Sequence, residues 1–227
     1  VTVALITGAS RGIGRATALH FADRGVELVL LGRPSAAFAE TEKELKKRQA
    51  RWNFHSCDFQ DRASVDRVVS QLKDQGLIPD VLVLNAGTIV RELFLQISDA
   101  SWDAQIEVNL NAPLRIARAF LGAMLKRDSG RVLFVSSISA QLGTASQSAY
   151  HASKAGLIGA MKCLAEELSA TGLSTVALLP GSVDTSMLEG SGFTPRMSPL
   201  EVAQTLGFYA FDAGRAHNGS SIEMFGI

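Results

Sequence analysis

Tyr150-His151-Ala152-Ser153-Lys154 places a phenol and an amine four residues apart. On a helix that spacing puts both groups on one face, with about 6 Å of axial rise between them. A phenol is a poor acid/base at neutral pH because its ordinary pKa is about 10. A neighbouring ammonium favours the phenolate, so Lys154 is expected to lower the Tyr150 pKa and make it a usable proton donor and acceptor. The spacing alone recurs in many helices, and its company makes it specific. Ser137 lies thirteen residues earlier, at the end of a strand-like run, where its hydroxyl can orient a substrate carbonyl. Ser136 and Ser139 are near alternatives, although Ser136, one step away on the strand, is expected to face oppositely. Asn109 is followed four residues later by Pro113. Proline has no N–H for the carbonyl of residue i−4, so a kink with a free Asn109 carbonyl is expected. That carbonyl could hold a water linking Lys154 to solvent, or the kink could be structural only.

A second constellation is Thr7-Gly8-Ala9-Ser10-Arg11-Gly12-Ile13-Gly14, between a first strand and a first helix. Glycines there let backbone approach a pyrophosphate, and the helix start after Gly12 aims free N–H groups and a positive dipole at it. The spacing is GxxxGxG rather than the GxGxxG of the common dinucleotide fingerprint. Glycine-rich turns are often only turns, and the position after strand one carries the cofactor reading. An NAD site usually has an acid after the second strand, for the ribose 2′-OH. Here that strand ends Leu30-Leu31-Gly32-Arg33. Arg33 and Arg11 could neutralise a 2′-phosphate, which favours NADP(H) over NAD(H); ordinary surface charge is the alternative for both.

These groups need a scaffold, and strand-like and helix-like segments alternate throughout. Strands are expected at Val3 to Thr7, Glu27 to Leu31, Trp52 to Cys57, Val81 to Leu84, Arg131 to Val135, Ser174 to Leu179 and Ser221 to Met224. Helices are expected at Ile13 to Arg24, Ser35 to Ala50, Arg62 to Gln75 (capped by Asp61), Ser101 to Lys126, Ser148 to Thr171 and Pro199 to Asp212. The rhythm predicts an α/β fold: one Rossmann-type, doubly wound parallel sheet of about seven strands with helices on both faces, forming a single domain over residues 1–227. Gly181 to Ser198, rich in Gly, Ser and Pro, follows a strand and suits a short substrate lid, with an ordinary surface loop as the alternative.

At 47% apolar and 19% charged, 227 residues can bury a large core and do not read as disordered. Zero formal net charge gives no reason to expect nucleic acid or an anionic membrane as partner. No apolar run reaches membrane-helix length, and Val1 to Thr7 is expected to be a strand rather than a signal peptide. Cys57 and Cys163 form no CxxC pattern and suggest reduced thiols in a cytoplasmic protein. His20, His55, His151 and His217 have no metal-ligand spacing, so no metal is expected. His151 lies about 100° round the helix from Tyr150 and is read as non-catalytic.

Taken together, TGASRGIG, Asn85-Ala86-Gly87, Asn109, Ser137, YHASK and Pro180-Gly181 resemble the short-chain dehydrogenase/reductase family, in its order and spacing across essentially the whole chain. The resemblance implies an NADP(H)-dependent oxidoreductase interconverting a carbonyl and a secondary alcohol. Tyr150 would transfer the proton, Ser137 polarise the carbonyl, Lys154 bind the nicotinamide ribose, and Asn109 support a relay water. Gly8, Ser10, Arg11, Gly12, Ile13 and Gly14 would form the pyrophosphate turn, and Arg33 would meet the 2′-phosphate. Asp58 would contact adenine, with helix capping as its alternative. Asn85, Ala86 and Gly87 would pass the adenosine ribose, and Pro180, Gly181, Val183 and Thr185 would flank the nicotinamide. Leu93, Phe94, Leu142, Met187 and Phe193 suggest an apolar small-molecule pocket, though they could also pack a core or subunit face. A homo-oligomer, dimer or tetramer, is implied through the two long helices.

The likeness is nearest to bacterial 3-oxoacyl-(acyl-carrier-protein) reductases. The chain departs from them in a shorter Gly181 to Ser198 segment, in Asp128 and Thr171 at positions where they place arginines, and in a tail without an NGG turn. A cofactor-binding sensor without turnover, or an NAD-dependent alcohol dehydrogenase, remain the competing readings.

Overall fold

Long apolar runs too short for buried helices require strands covered on both faces. A computed structural model, describing residues 1–226, shows that arrangement. In chain order the elements are β1 (Val3–Thr7), α1 (Gly12–Asp23), β2 (Glu27–Gly32), α2 (Ala36–Lys47), β3 (Trp52–Ser56), α3 (Arg62–Asp74), β4 (Val81–Leu84) and α4 (Asp99–Ile106). Then come α5 (Ala112–Arg127), β5 (Gly130–Val135), α6 (Ser148–Glu167), β6 (Leu173–Pro180), α7 (Pro199–Gly207) and β7 (Ser221–Met224). The strands form one parallel sheet in the order β3-β2-β1-β4-β5-β6-β7. The expected doubly wound sheet of about seven strands is present.

Two-residue periodicity sends alternate strand residues into two separate cores. Leu5, Val29, Leu31, Val132 and Phe134 meet Val65 and Leu72 of α3, Ile116 and Phe120 of α5, and Leu157 and Met161 of α6. Ile6, Leu28, Leu30, Leu133 and Leu178 meet Phe21 of α1, Phe38 and Leu45 of α2, and Val202 and Leu206 of α7. β4 and β6 are buried along their whole length. β3, at one edge of the sheet, is not, which accounts for its mixed Trp52-Asn53-Phe54-His55-Ser56 composition. Polar caps set the helix starts: Ser35 accepts from the Phe38 N–H, Asp61 from the Ala63 N–H, and Ser198 with Glu201 forms a capping box.

Two expected helices are interrupted. Ser101 to Lys126 is α4 and α5, joined by a π turn over Glu107–Asn111 that contains Asn109. Pro113, at the start of α5, cannot donate to the carbonyl four residues back, and the widened turn absorbs the lost register. The last turn of Pro199 to Asp212 is likewise π-helical over Phe208–Asp212. Short 3₁₀ turns at Ile138–Ala140 and Arg215–His217 had no sequence signal.

Candidate active site

In a doubly wound sheet a crevice opens at the carboxyl edge, where the connections after neighbouring strands leave toward opposite faces. Here β1 pairs with both β2 and β4, and the reversal lies between β1 and β4. A cavity of about 1060 Å³ opens there. Its walls include Gly8, Ser10, Arg11, Gly12, Ile13, Arg33, Asp58, Asn85, Ala86, Gly87, Ser137, Tyr150, Lys154, Pro180, Gly181, Val183 and Thr185. All of those were singled out in the sequence. Of the expected catalytic and cofactor-binding residues, two do not reach the cavity: Gly14 and Asn109.

Gly14 lies underneath the turn. A Cβ there would fall 2.2 Å from the Gly8 carbonyl oxygen, so the residue permits close packing rather than ligand approach. Gly8 and Gly12 have φ of +71° and +55°, a region in which side chains are strained. No side chain caps α1, whose preceding residue is Arg11, so its first N–H groups face the cavity mouth without a side-chain acceptor. The turn is braced from outside. Asn85 Nδ2 donates to the Thr7 carbonyl at 2.9 Å, and Thr41 Oγ1 donates to the Ser10 carbonyl at 3.1 Å. Thr7 Oγ1 accepts from the N–H groups of both Asn85 and Ala86 at 2.9 Å. Asp58 does not cap α3; its Oδ1 accepts from the Gln60 N–H, and Asp61 is the cap. Arg11 and Arg33 are exposed, and neither joins an ion pair among the described residues.

Asn109 is fully buried and acts through its side chain. Its Nδ2 donates to the Thr88 carbonyl at 2.9 Å and to Ser153 Oγ at 3.1 Å, while Oδ1 accepts from the Thr88 N–H at 2.8 Å. The π turn thus holds the segment after β4 in place. Ser153 Oγ in turn donates to the Tyr150 carbonyl at 2.7 Å. Asn109 therefore connects the Thr88 backbone to the first turn of α6, a role not anticipated from a freed carbonyl.

Tyr150 and Lys154 do share one face of α6, with Nζ 5.8 Å from the phenol ring centroid. The ammonium donates to the Val135 carbonyl at 2.9 Å. Burial alone draws the Lys154 pKa down to about 8. Burial also raises the Tyr150 pKa, and the groups opposing that rise are the Ser137 hydroxyl and the Arg91 guanidinium. The net direction for Tyr150 is upward, with burial outweighing these two opposing groups. Ser137 Oγ accepts from the Ser139 N–H at 3.1 Å, whereas Ser136 Oγ donates to the Lys154 carbonyl at 3.0 Å. Of the two strand-end serines, Ser137 is the one beside the phenol.

The segment after β6 closes the cavity on the far side. Val183 bridges to Met197, and the Arg196 N–H donates to the Ser182 carbonyl, so Gly181 to Ser198 is a loop pinched at its base. Leu142, Met187 and Phe193 line the cavity while remaining exposed; Leu93 does not line it, and Phe94 lines a smaller neighbouring recess with His151. Arg91, four residues beyond Gly87, also lines the cavity; the sequence reads Ile89 to Leu95 as a pocket-lining loop but has no periodicity there to single out Arg91.

The sequence and the fold have counterparts elsewhere. The family described as short chain dehydrogenase matches residues 2–193. The 3-oxoacyl-[acyl-carrier-protein] reductase of Synechocystis sp. is 34% identical over 225 residues, covering 95% of this chain and 91% of that protein. The reductase of the same name from Escherichia coli is 30% identical over 238 residues, covering 99% and 96%. Among solved structures, an actinorhodin polyketide ketoreductase crystallised with NADPH superposes with a TM-score of 0.90 at 26% identity, covering 99% of this chain and 96% of that one.

Proposed function

Because this chain belongs to the short-chain dehydrogenase family, we propose that it is an NADP(H)-dependent oxidoreductase reducing a ketone to a secondary alcohol, with 3-oxoacyl thioesters as its substrate class. The observation that carries the reading is the convergence of Ser137, Tyr150 and Lys154 on the cavity that also holds the glycine turn. The two relatives named as 3-oxoacyl reductases supply the substrate class, and the ketoreductase crystallised with NADPH supports the cofactor.

The residues present fit such a dinucleotide. Gly8 and Gly12 leave backbone uncovered beside the uncapped start of α1, which suits a pyrophosphate. Arg11 and Arg33 offer unneutralised charge for a 2′-phosphate, and Asp58, Asn85, Ala86 and Gly87 wall the adenosine end. Pro180, Gly181, Val183 and Thr185 flank the nicotinamide end. Bound NADPH supplies the hydride; the chain supplies position and the proton. The Ser137 hydroxyl orients the carbonyl oxygen, and Tyr150 protonates it as negative charge develops there. Lys154 holds the nicotinamide ribose. Asn109 keeps Thr88 and the start of α6 in register, and a water on its backbone belongs to the same proposal as the route by which Tyr150 is reprotonated. A small-molecule substrate and a homo-oligomeric, cytoplasmic enzyme complete the reading.

The decisive experiment follows NADPH oxidation with S-acetoacetyl-N-acetylcysteamine, comparing wild type with Tyr150→Phe. Turnover is expected to fall by at least about 100-fold, within the usual range for removal of a positioned acid/base. NADPH affinity, measured by fluorescence titration, should stay within a few-fold. A variant that retains near wild-type turnover would remove Tyr150 from its role. NADPH binding by wild type without oxidation across a ketone panel would point to a sensor.

A further inference from the structure

The cavity's charged groups divide by position, and one of them has no task in the proposed chemistry. Arg11, Arg33 and Asp58 stand with the glycine turn, and Lys154 is held on the Val135 carbonyl. Arg91 stands at the substrate end, among Leu142, Met187, Leu188 and Phe193. It is half-buried and joins no ion pair among the described residues. Its contacts are neutral: Nη2 donates to the Met187 carbonyl at 2.9 Å and Nη1 lies 3.5 Å from the Glu189 carbonyl. Its Nε is shielded from solvent and has no hydrogen-bond partner. A half-buried guanidinium whose partners are neutral carbonyls, with a second N–H on each Nη and no counter-charge among the described residues, at an apolar mouth, favours a ligand that brings an acceptor oxygen to those Nη groups.

We infer that Arg91 is a specificity-determining residue that binds a second oxygen of the substrate, one placed two carbons from the carbonyl being reduced. The acyl oxygen of a 3-oxo thioester and the carboxylate of a 3-oxo acid share that chemistry. The inference rests on the reductase reading and deepens it. The same side chain ties the segment after β4 to the Gly181 to Ser198 loop. Arg91 also acts on Tyr150, whose phenol its charge favours in ionised form. That effect would change every substrate alike, whereas recognition of a second oxygen would not.

Three substrates separate these roles: S-acetoacetyl-N-acetylcysteamine, acetoacetate, and the ketone in which the thioester C=O is replaced by CH₂. Wild type should reduce at least one of the first two with a higher kcat/KM than the third. Arg91→Met should lower kcat/KM on the preferred two-oxygen substrate by about ten- to a hundred-fold, the usual worth of a hydrogen bond to a charged group. The loss on the one-oxygen ketone, which carries only the effect on the phenol, should be smaller by a factor of about ten, and Arg91→Lys should recover part of the difference. A larger loss on the thioester than on the acid would identify a thioester oxygen as the natural contact, and the reverse a carboxylate. An equal loss on all three substrates would overturn the inference in favour of a lid or phenol role. So would wild type showing no preference for the second oxygen, even while it reduces the ketones and the reductase reading stands. If wild type oxidises NADPH with none of them, the reductase reading fails and takes this inference with it.

Discussion

Lys154 is enclosed without a carboxylate partner among the described residues, and its pKa of about 8 reflects that enclosure. The unfolded chain keeps this proton up to about pH 10.5, whereas the folded chain releases it near 8. Between those values the unfolded state binds more protons, so stability rises with pH. Cys57, raised by burial to about 11, and Tyr150, also raised, act in the opposite sense at alkaline pH, and both are common to wild type and a lysine variant. Chemical unfolding of wild type and Lys154→Met from pH 7 to 10 isolates the lysine. Wild type should gain up to roughly 3 kcal/mol relative to the variant over that range. Parallel curves would mean that the ammonium is not penalised by burial.

At the scale of elements, the turn between β1 and α1 shows how a residue can serve a site without touching it. Gly14 does not line the cavity, yet a methyl group there collides with the Gly8 carbonyl. Gly14→Ala should therefore displace the turn and weaken NADPH binding by more than about ten-fold, a shift of roughly 1.4 kcal/mol. Isothermal titration would read it directly, and unchanged affinity would show that the turn yields without cost. The π turn between α4 and α5 makes the same point from the other side of the crevice. Pro113 forces the irregularity, and the irregularity delivers the Asn109 amide to both backbone groups of Thr88. A regular helix through that segment would change the rotation at which Asn109 is presented.

For the whole molecule, ligand binding and folding stability are linked. A cofactor bound only by the folded state stabilises it by about 2.7 kcal/mol at a hundred times its Kd. Thermal unfolding at matched concentrations should therefore show a larger rise in Tm with NADPH than with NADH. The double variant Arg11→Ala, Arg33→Ala should abolish that difference while leaving the effect of NADH intact. A greater rise with NADH in wild type would overturn the reading of the two arginines. The sheet supports this design because both cores close without the crevice: the apolar layers lie on the two faces, and the cavity opens at the carboxyl edge between them.

The alternating apolar runs, the glycine turn and the Tyr150–Lys154 spacing are local signals, and they determined the sheet, its layers and the face of α6 that meets the crevice. Strand and helix periodicities carry that much because each residue's direction follows from its near neighbours. The tertiary structure decided everything that needs distant segments to meet. It put Lys154 on the carbonyl of Val135, Asn109 on Thr88, and Arg91 on the loop beyond β6. It also set the proton affinities of Tyr150 and Lys154, because burial and the aim of a charge belong to the packed chain and have no signature in the order of its residues.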